Sequence, residues 1–414
     1  MLPTRRTDSS FRRHGAAVVS IMAMLGMSSH ALEAQEAAPA QQSCGTPTPV
    51  PAGLQGPFTG DKAPIYPDDQ FPVKLPAKSL LGAPNYSPEP YPYDAGVMWG
   101  QFPRALGATA SVSTGPDNTI WVLDRCGHLS ASGDACGGDS ASINPIFQFD
   151  TSGKLLQTFG AGMTSGPHKL EVDKEGNVWV ADNQLNQILK FDPHGKLLMT
   201  VGEKDVTGTG DNQFDQPTDV AFGSNGTFFV ADGHNGGGAA YGNARIVKFD
   251  KNGKFLMTWG RKGTGPGEFD GPHALTVDNE GRLYVADRQN NRVQVFDQNG
   301  KFLRQWFQYS RPSGVYVDKH DLIYVGDSET RDGRTNTGRG TVGPFGYGFN
   351  PGAARGIRIG SVKDGKVKYF IPDICPYPYK SNAYSYEGVT TDTQGNVYGA
   401  SWGVIRKYTL LKKN

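Results

Sequence analysis

Hydrophobic and polar positions alternate in short runs along most of this chain. From Gly271 to Asp297 (GPHALTVDNEGRLYVADRQNNRVQVFD), apolar residues alternate with polar ones in three runs, which are separated by residues that favour turns. A fourth run follows from Gly300 to Phe307 (GKFLRQWF). The pattern predicts four short β-strands joined by tight turns.

The same unit recurs along the chain. Further copies begin at Ser111, Gly166, Gln216, Arg311 and Tyr386, which makes six copies spaced by about 40 to 50 residues. One such unit cannot bury both faces of its small sheet, whereas units packed radially cover one another. The sequence therefore predicts an all-β fold, a six-bladed β-propeller of four-stranded antiparallel blades.

The last copy lacks a fourth strand. The segment Gly96 to Gly100 (GVMWG) resembles the end of a fourth strand, so we expect the N-terminal segment to close the last blade. The propeller is expected to span residues 91–414, preceded by a linker and N-terminal arm, 35–90, that is rich in Pro, Ala and Gly. The predicted blades, apart from the closing strand, are 107–160, 165–202, 214–260, 269–307, 309–373 and 385–411.

The N-terminus has the features of a secretory signal peptide. Arginines precede a short apolar run, 16–27, and small residues around Ala31 and Ala34 offer cleavage sites. Residues 1–34 are therefore predicted to be a signal peptide, which places the mature protein in the periplasm or outside the cell. The apolar run is short for a transmembrane helix. An uncleaved membrane anchor is the alternative, and we expect no stable membrane span after processing.

The net charge limits the classes of binding partner, and the cysteine content bears on the compartment in which the protein folds. The formal net charge is +1, and no nucleic-acid-binding motif is present, so we expect no nucleic-acid partner. Export makes disulfide bonds plausible for the four cysteines, which allow three connectivities. One of these joins Cys126 to Cys136 and Cys44 to Cys375. The oligomeric state is not predicted by the sequence.

Chemistry is expected at one mouth of the central channel. In antiparallel blades, the start of the first strand and the end of the second lie at the same end. The residue after the repeated Pro, or its equivalent, is expected there: Ala110, His168, Thr218, His273, Ser313 and Glu387. His168, His273 and Glu387 fall on blades two, four and six, about 120° apart by radial geometry. We therefore predict a metal site for zinc or iron(II).

Three long loops are predicted at the same face. They follow the V-x-D signatures of blades one, three and five and span 125–144, 233–243 and 328–354, where they are expected to form a substrate-binding rim. The second loop carries His234 and Tyr241. The aspartates of the signature recur in most blades and are therefore interpreted as structural turn residues: Asp124, Asp182, Asp232, Asp287 and Asp327.

Several strings resemble peptidyl-α-hydroxyglycine α-amidating lyase, a family of NHL-repeat propellers. They are GPHKLEVDKEGNVWVAD from Gly166, YGNARIVKFDKNGKFL from Tyr241 and GPHALTVDNEGRLYVADRQNNR from Gly271. The resemblance covers about residue 107 to the C-terminus. It implies channel zinc held by three His from alternate blades, of which two match here, His168 and His273.

The resemblance also assigns roles to other positions. Glu387 occupies the place of the third His, and Gly388 replaces an Asp that helps to hold a structural calcium, so calcium is doubtful. The proposed catalytic Tyr of the family matches Tyr241. Its two active-site arginines match Arg125 and Arg288.

The implied reaction is C–N cleavage of a carbinolamide to an amide and glyoxylate. The chain is therefore expected to be a metal-dependent lyase acting on a small-molecule or peptide-derived substrate. Because Glu387 replaces a His, a related reaction on another substrate stays open. The alternatives are a non-enzymatic NHL-repeat binding or scaffold protein and a calcium-dependent lactonase-type hydrolase, which would favour oxygen ligands.

Overall fold

The computed structural model describes residues 87–107, 109–126, 136–234, 242–330, 350, 353–373, 386–401 and 403–411. These residues form 24 β-strands arranged in six four-stranded antiparallel sheets. The predicted all-β six-bladed propeller is therefore confirmed. The predicted signal peptide, most of the predicted linker, Cys44 and Cys375 lie outside the described residues.

Blades one to three contain the strands nearest the N-terminus. Blade one consists of β2 (Thr109–Thr114), β3 (Ile120–Asp124), β4 (Ile146–Phe149) and β5 (Leu155–Phe159). Blade two consists of β6 (Pro167–Val172), β7 (Val178–Asp182), β8 (Gln187–Phe191) and β9 (Leu197–Val201). Blade three consists of β10 (Pro217–Phe222), β11 (Phe228–Asp232), β12 (Arg245–Phe249) and β13 (Phe255–Trp259). Short 3-10 turns occur at Gly138–Ser140 and Ser224–Gly226.

Blades four to six complete the ring. Blade four consists of β14 (Pro272–Val277), β15 (Leu283–Asp287), β16 (Arg292–Phe296) and β17 (Phe302–Trp306). Blade five consists of β18 (Gly314–Val317), β19 (Leu322–Asp327), β20 (Gly356–Ser361) and β21 (Val367–Pro372). Blade six consists of β22 (Gly388–Thr391), β23 (Val397–Ser401), β24 (Val404–Tyr408) and β1 (Val97–Trp99). A 3-10 turn at Arg288–Asn290 follows β15.

The two ends of the described chain meet in blade six. Strand β1 pairs antiparallel with β24, with Val97 opposite Lys407 and Trp99 opposite Ile405. Trp99 is 8% exposed and packs edge-on against Phe149 of blade one, with ring centroids 5.4 Å apart. The N-terminal strand therefore supplies the missing fourth strand, and its Trp also contacts the next blade.

The core consists of six apolar clusters, one between each pair of neighbouring blades. Between blades two and three, for example, Trp179 packs against Phe228 with ring centroids 4.8 Å apart. Complete burial of one large apolar side chain contributes roughly 1.5–3 kcal/mol. Because every blade is covered on both faces, no single blade is expected to fold alone.

The signature aspartates fix the loops at the channel mouth. Asp182 accepts backbone hydrogen bonds from Ser165 (2.7 Å) and Gly166 (3.0 Å), immediately before β6. Asp287 accepts one from Asp270 (2.7 Å), just before β14. These carboxylates thus anchor the start of the first strand to the end of the second, which agrees with their interpretation as structural residues.

Blade one carries a disulfide bond at the same face. Cys126 is joined to Cys136, ten residues further along the chain. Cys126 directly follows Arg125, so the bond lies next to an active-site candidate. Within the described residues, no helix is long and apolar enough to span a membrane.

Candidate metal centre

The two predicted histidines lie at β-bulges. Pro167 pairs with Asp182 and Lys169 with Ala181, so His168 is the extra residue in the register between β6 and β7. His273 has the same place between β14 and β15. A bulge changes the direction of the side chain. Both imidazoles are fully buried, with 0% exposure.

Each of these histidines is oriented by a backbone carbonyl of the next blade. Nδ1 of His168 lies 2.8 Å from the carbonyl oxygen of Thr218, and Nδ1 of His273 lies 2.7 Å from that of Ser313. A carbonyl oxygen only accepts hydrogen bonds, so Nδ1 carries the proton in both rings. Nε2 is left with a free lone pair, which is the arrangement of a metal-binding histidine with its outer hydrogen bond in place.

A third imidazole joins them from the loop after β11. His234 follows Gly233, whose φ of +127° is accessible mainly to glycine, and a Cβ at Gly233 would overlap the carbonyl oxygen of Asn243. The backbone N–H of His234 donates to the carbonyl of Gln216 (3.0 Å). The glycine and this hydrogen bond bring His234 to the channel.

The three histidines form one compact group. One ring nitrogen from each of His168, His234 and His273 lies within 4.8 Å of the others. Nε2 of His168 and Nε2 of His273 are buried without a hydrogen-bond partner among the described residues. Buried polar atoms normally have a partner. Three imidazole nitrogens, two of them unsatisfied, are a donor set that fits a transition metal such as zinc.

The protonation state of the group also suits metal binding. Burial lowers the pKa of His168, His234 and His273 well below the ordinary value of 6.5. For His234 and His273, the next largest cause is the positive charge of Arg288. The imidazoles are therefore neutral near pH 7, which is the form that binds metals.

Glu387 lies beside this group but is not one of its three members. Its Oε2 is 3.8 Å from Nε2 of His273 and has no hydrogen-bond partner among the described residues, whereas Oε1 accepts a hydrogen bond from Ser328 (3.2 Å). The buried ammonium of Lys169 donates to the backbone carbonyl of Glu387. The group thus comes from consecutive blades, two, three and four, rather than from the expected alternate blades.

The predicted arginines lie at the same mouth. Arg288 is 1% exposed, and its Nη2 is 3.4 Å from Nε2 of His234. Arg125 is half-buried, and its positive charge helps to lower the pKa of His168 and His234. Tyr241 lies outside the described residues. The described part therefore brings five of the six predicted site residues to one place, and sequence reasoning missed His234 as a member.

Several known proteins are similar in sequence to part of this chain. The NHL repeat model matches residues 269–296. Peptidyl-glycine alpha-amidating monooxygenase A of Xenopus laevis is 40% identical over 201 residues, which cover 45% of this chain and 21% of that protein. A peptidyl-alpha-hydroxyglycine alpha-amidating lyase of Caenorhabditis elegans is 40% identical over 141 residues, covering 33% of this chain and 38% of that protein. This chain is a six-bladed propeller with an NHL repeat at residues 269–296, and its sequence is similar to that of the amidating lyases.

The matches have clear limits. The aligned part spans only about a fifth to two-fifths of the length of these two relatives. Among solved structures, a match to a gluconolactonase from Xanthomonas campestris covers 74% of this chain and 87% of that chain, with a TM-score of 0.50 at 12% identity. This likeness shows the fold alone. The family resemblance read from the repeat strings is confirmed, and the chemistry of the channel rests on its own residues.

Two further residues of the propeller's mouth were missed by sequence reasoning. Glu329 and Arg311 are 4% and 2% exposed, and both lie within the ion-pair network of Arg288. Glu329 lies two positions after the V-x-D signature of blade five, whereas Arg288 directly follows that of blade four. The first two positions after the signature were therefore a usable signal, because they carry side chains of the mouth in blades one, four and five.

Proposed function

We propose that this protein is an exported metal-dependent lyase that cleaves the C–N bond of a carbinolamide-type substrate. The observation that carries the proposal is the group of three imidazoles, whose ring nitrogens lie within 4.8 Å of one another. The relationship to amidating lyases gives the reaction class. The Cys126–Cys136 disulfide supports export, since such bonds persist in oxidising compartments.

His168, His234 and His273 would hold the metal, and zinc fits this nitrogen set best, with iron(II) as the other candidate. Glu387, predicted as the third ligand, lies beside His273, and its carboxylate would complement the charge of the ion. A metal ion held there would supply a Lewis acid that lowers the pKa of a hydroxyl group at the site. Because the three histidines lie on blades two, three and four, the substrate would bind on the side towards blades five and one.

The other residues bind the substrate and move its proton. Arg288 and Arg125 would hold a carboxylate of the substrate through guanidinium hydrogen bonds. Tyr241, by its match to the family, is the proposed acceptor of the hydroxyl proton. As the C–N bond breaks, the electron pair of that bond and this proton go to nitrogen. The products are an amide, R–CO–NH2, and glyoxylate, so atoms and charge balance.

Elemental analysis and product release test this function. The mature protein is expected to contain about one zinc or iron per chain and to release glyoxylate from an α-hydroxyglycine peptide. A His168→Ala/His273→Ala variant should lose both properties. His194→Ala, which changes an exposed histidine in the β8–β9 turn, is the control and should lose neither. A folded protein without metal, even after reloading, would move the assignment to a non-enzymatic binding propeller.

A further inference from the structure

Two buried arginines share one buried carboxylate next to the histidine group. Glu329 Oε2 lies 3.4 Å from Nη1 of Arg288 and 3.0 Å from Nη2 of Arg311. All three side chains are at most 4% exposed. The residues come from two blades: Arg288 from blade four, and Arg311 and Glu329 from the start and end of the first hairpin of blade five.

The triad is tied to its surroundings by directional hydrogen bonds. Nη1 of Arg311 donates to the carbonyl of Arg288 (3.2 Å) and to Oε1 of Gln289 (2.7 Å). Arg311 therefore holds both the backbone of the turn that carries Arg288 and the carboxylate that pairs with it. Arg311 thus restrains the backbone of Arg288, and Glu329 restrains its guanidinium.

The triad also reaches the metal ligands. Arg288 contacts His234 through Nη2 (3.4 Å), and its Nη1 lies 4.0 Å from Oε1 of Glu387. Two guanidinium groups and one carboxylate leave one net positive charge in the triad. A buried ionic network is seldom more stable than well-packed apolar residues. Its place beside the imidazoles gives it a functional reason, because a fixed positive charge there attracts an anionic substrate group.

We propose that Glu329 and Arg311 are positioning residues that fix the Arg288 guanidinium for a substrate carboxylate and, through the charge of the triad, set the metal affinity of the histidine group. This proposal rests on the proposed function, since it names the substrate class, a carboxylate, for the same site. Binding experiments can separate the two roles, because loss of positioning and change of charge shift the glyoxylate affinity of Glu329→Gln in opposite directions.

The experiment uses the mature full chain and two probes, zinc and glyoxylate. Zinc affinity is measured by competition with a colorimetric chelator, and glyoxylate affinity by calorimetry on the zinc-loaded protein. Glu329→Gln removes a negative charge and should weaken zinc binding roughly tenfold through electrostatic repulsion. A field effect alone would strengthen glyoxylate binding in this variant. Loss of positioning should instead weaken it, by roughly tenfold or more.

Two further variants separate the effects. Arg311→Met removes a positive charge, so it should strengthen zinc binding and weaken glyoxylate binding. The double variant Glu329→Gln/Arg311→Met has the same net charge at the triad as the wild type. Its zinc affinity should therefore be close to that of the wild type, while its glyoxylate binding stays weak. Glu280→Gln is the matched control, because this exposed residue lies in the β14–β15 turn, at the opposite end of β15 from Arg288. It should change neither affinity.

The outcomes distinguish this proposal from the lyase proposal. If Glu329→Gln binds glyoxylate as tightly as the wild type, or more tightly, the positioning role is wrong, whatever the activity. If the wild type does not cleave the hydroxyglycine peptide but the affinities shift as described, the triad proposal holds and the lyase proposal fails. A wild type that binds neither zinc nor glyoxylate overturns both. Melting temperatures of all variants check that they are folded.

Discussion

Nε2 of His273 lies 3.8 Å from Oε2 of Glu387, and neither atom has a hydrogen-bond partner among the described residues. An imidazole lone pair and a carboxylate oxygen that face each other, both buried, are unfavourable unless a cation or proton lies between or beside them. A cation bound to the histidine group would relieve this unfavourable contact, because the Glu387 carboxylate would complement its positive charge.

The third metal ligand is expected to be His234. His234→Ala should reduce zinc affinity by more than the roughly 10–100-fold that is typical of losing an outer-shell partner. Glu387→Gln, which keeps the shape of the side chain, should fall within that range. Competition with a chelator measures the zinc affinity of both variants and shows which substitution weakens it more. A larger loss in Glu387→Gln than in His234→Ala would instead make Glu387 the third ligand, as the repeat positions predict.

Stability of the metal-free protein should depend on pH through the buried histidines. The folded-state pKa of His168 and of His273 is lowered by burial, so the unfolded chain takes up protons that the folded chain does not. Their contribution is present above about pH 6.5 and is lost as the pH falls below it. Two such groups give a slope of at most about 2.7 kcal/mol per pH unit.

The measurement is a set of urea unfolding curves between pH 7.5 and 5 in the presence of a chelator. Burial raises the pKa of Asp219 to about 7, so its contribution has the opposite sign and is lost as the pH rises from about 4 to 7. Comparison with His168→Gln/His273→Gln removes this background. An equal slope in wild type and variant would contradict the prediction.

Closure of the ring should depend on Trp99. The indole packs on Tyr398 of blade six (ring centroids 4.9 Å apart) and on Phe149 of blade one, so Trp99→Ala should cost about 3–5 kcal/mol of unfolding free energy. Met98→Ala, in the same strand but 39% exposed, is the control and should cost less than about 1 kcal/mol. Similar urea midpoints for the two variants would show that β1 does not close the ring through its Trp.

The disulfide of blade one should stabilise the protein and the position of Arg125. Cys126→Ser/Cys136→Ser opens a loop whose ends are ten residues apart, and its removal should cost about 2–4 kcal/mol. Because Arg125 precedes Cys126, the KM for an anionic substrate should rise more than kcat falls. Reduction of the wild type with dithiothreitol should reproduce the loss of stability and the rise in KM. An unchanged urea midpoint would contradict the predicted loss of stability.

The local sequence pattern was sufficient to predict the fold and two of the three histidines of the group. Strand alternation, turn residues and the repeated Pro-His of blades two and four are short-range features, and a repeat places equivalent residues at equivalent points of the ring. Asp182 and Asp287 illustrate the same logic, since each anchors its own blade. His168 and His273 were found because they occupy the bulge position of first strands.

Tertiary structure was needed to show that three further residues belong to the site: His234, Glu329 and Arg311. His234 lies in a long loop, and its arrival at the channel depends on the conformation of Gly233 and on packing between blades three and four. Glu329 meets Arg288 only because blades four and five are neighbours at a fixed angle. The sequence by itself determined the blades, the ring and the mouth where chemistry is expected. The tertiary structure decided which side chains converge there, because contacts across blades depend on distances that no repeat period encodes.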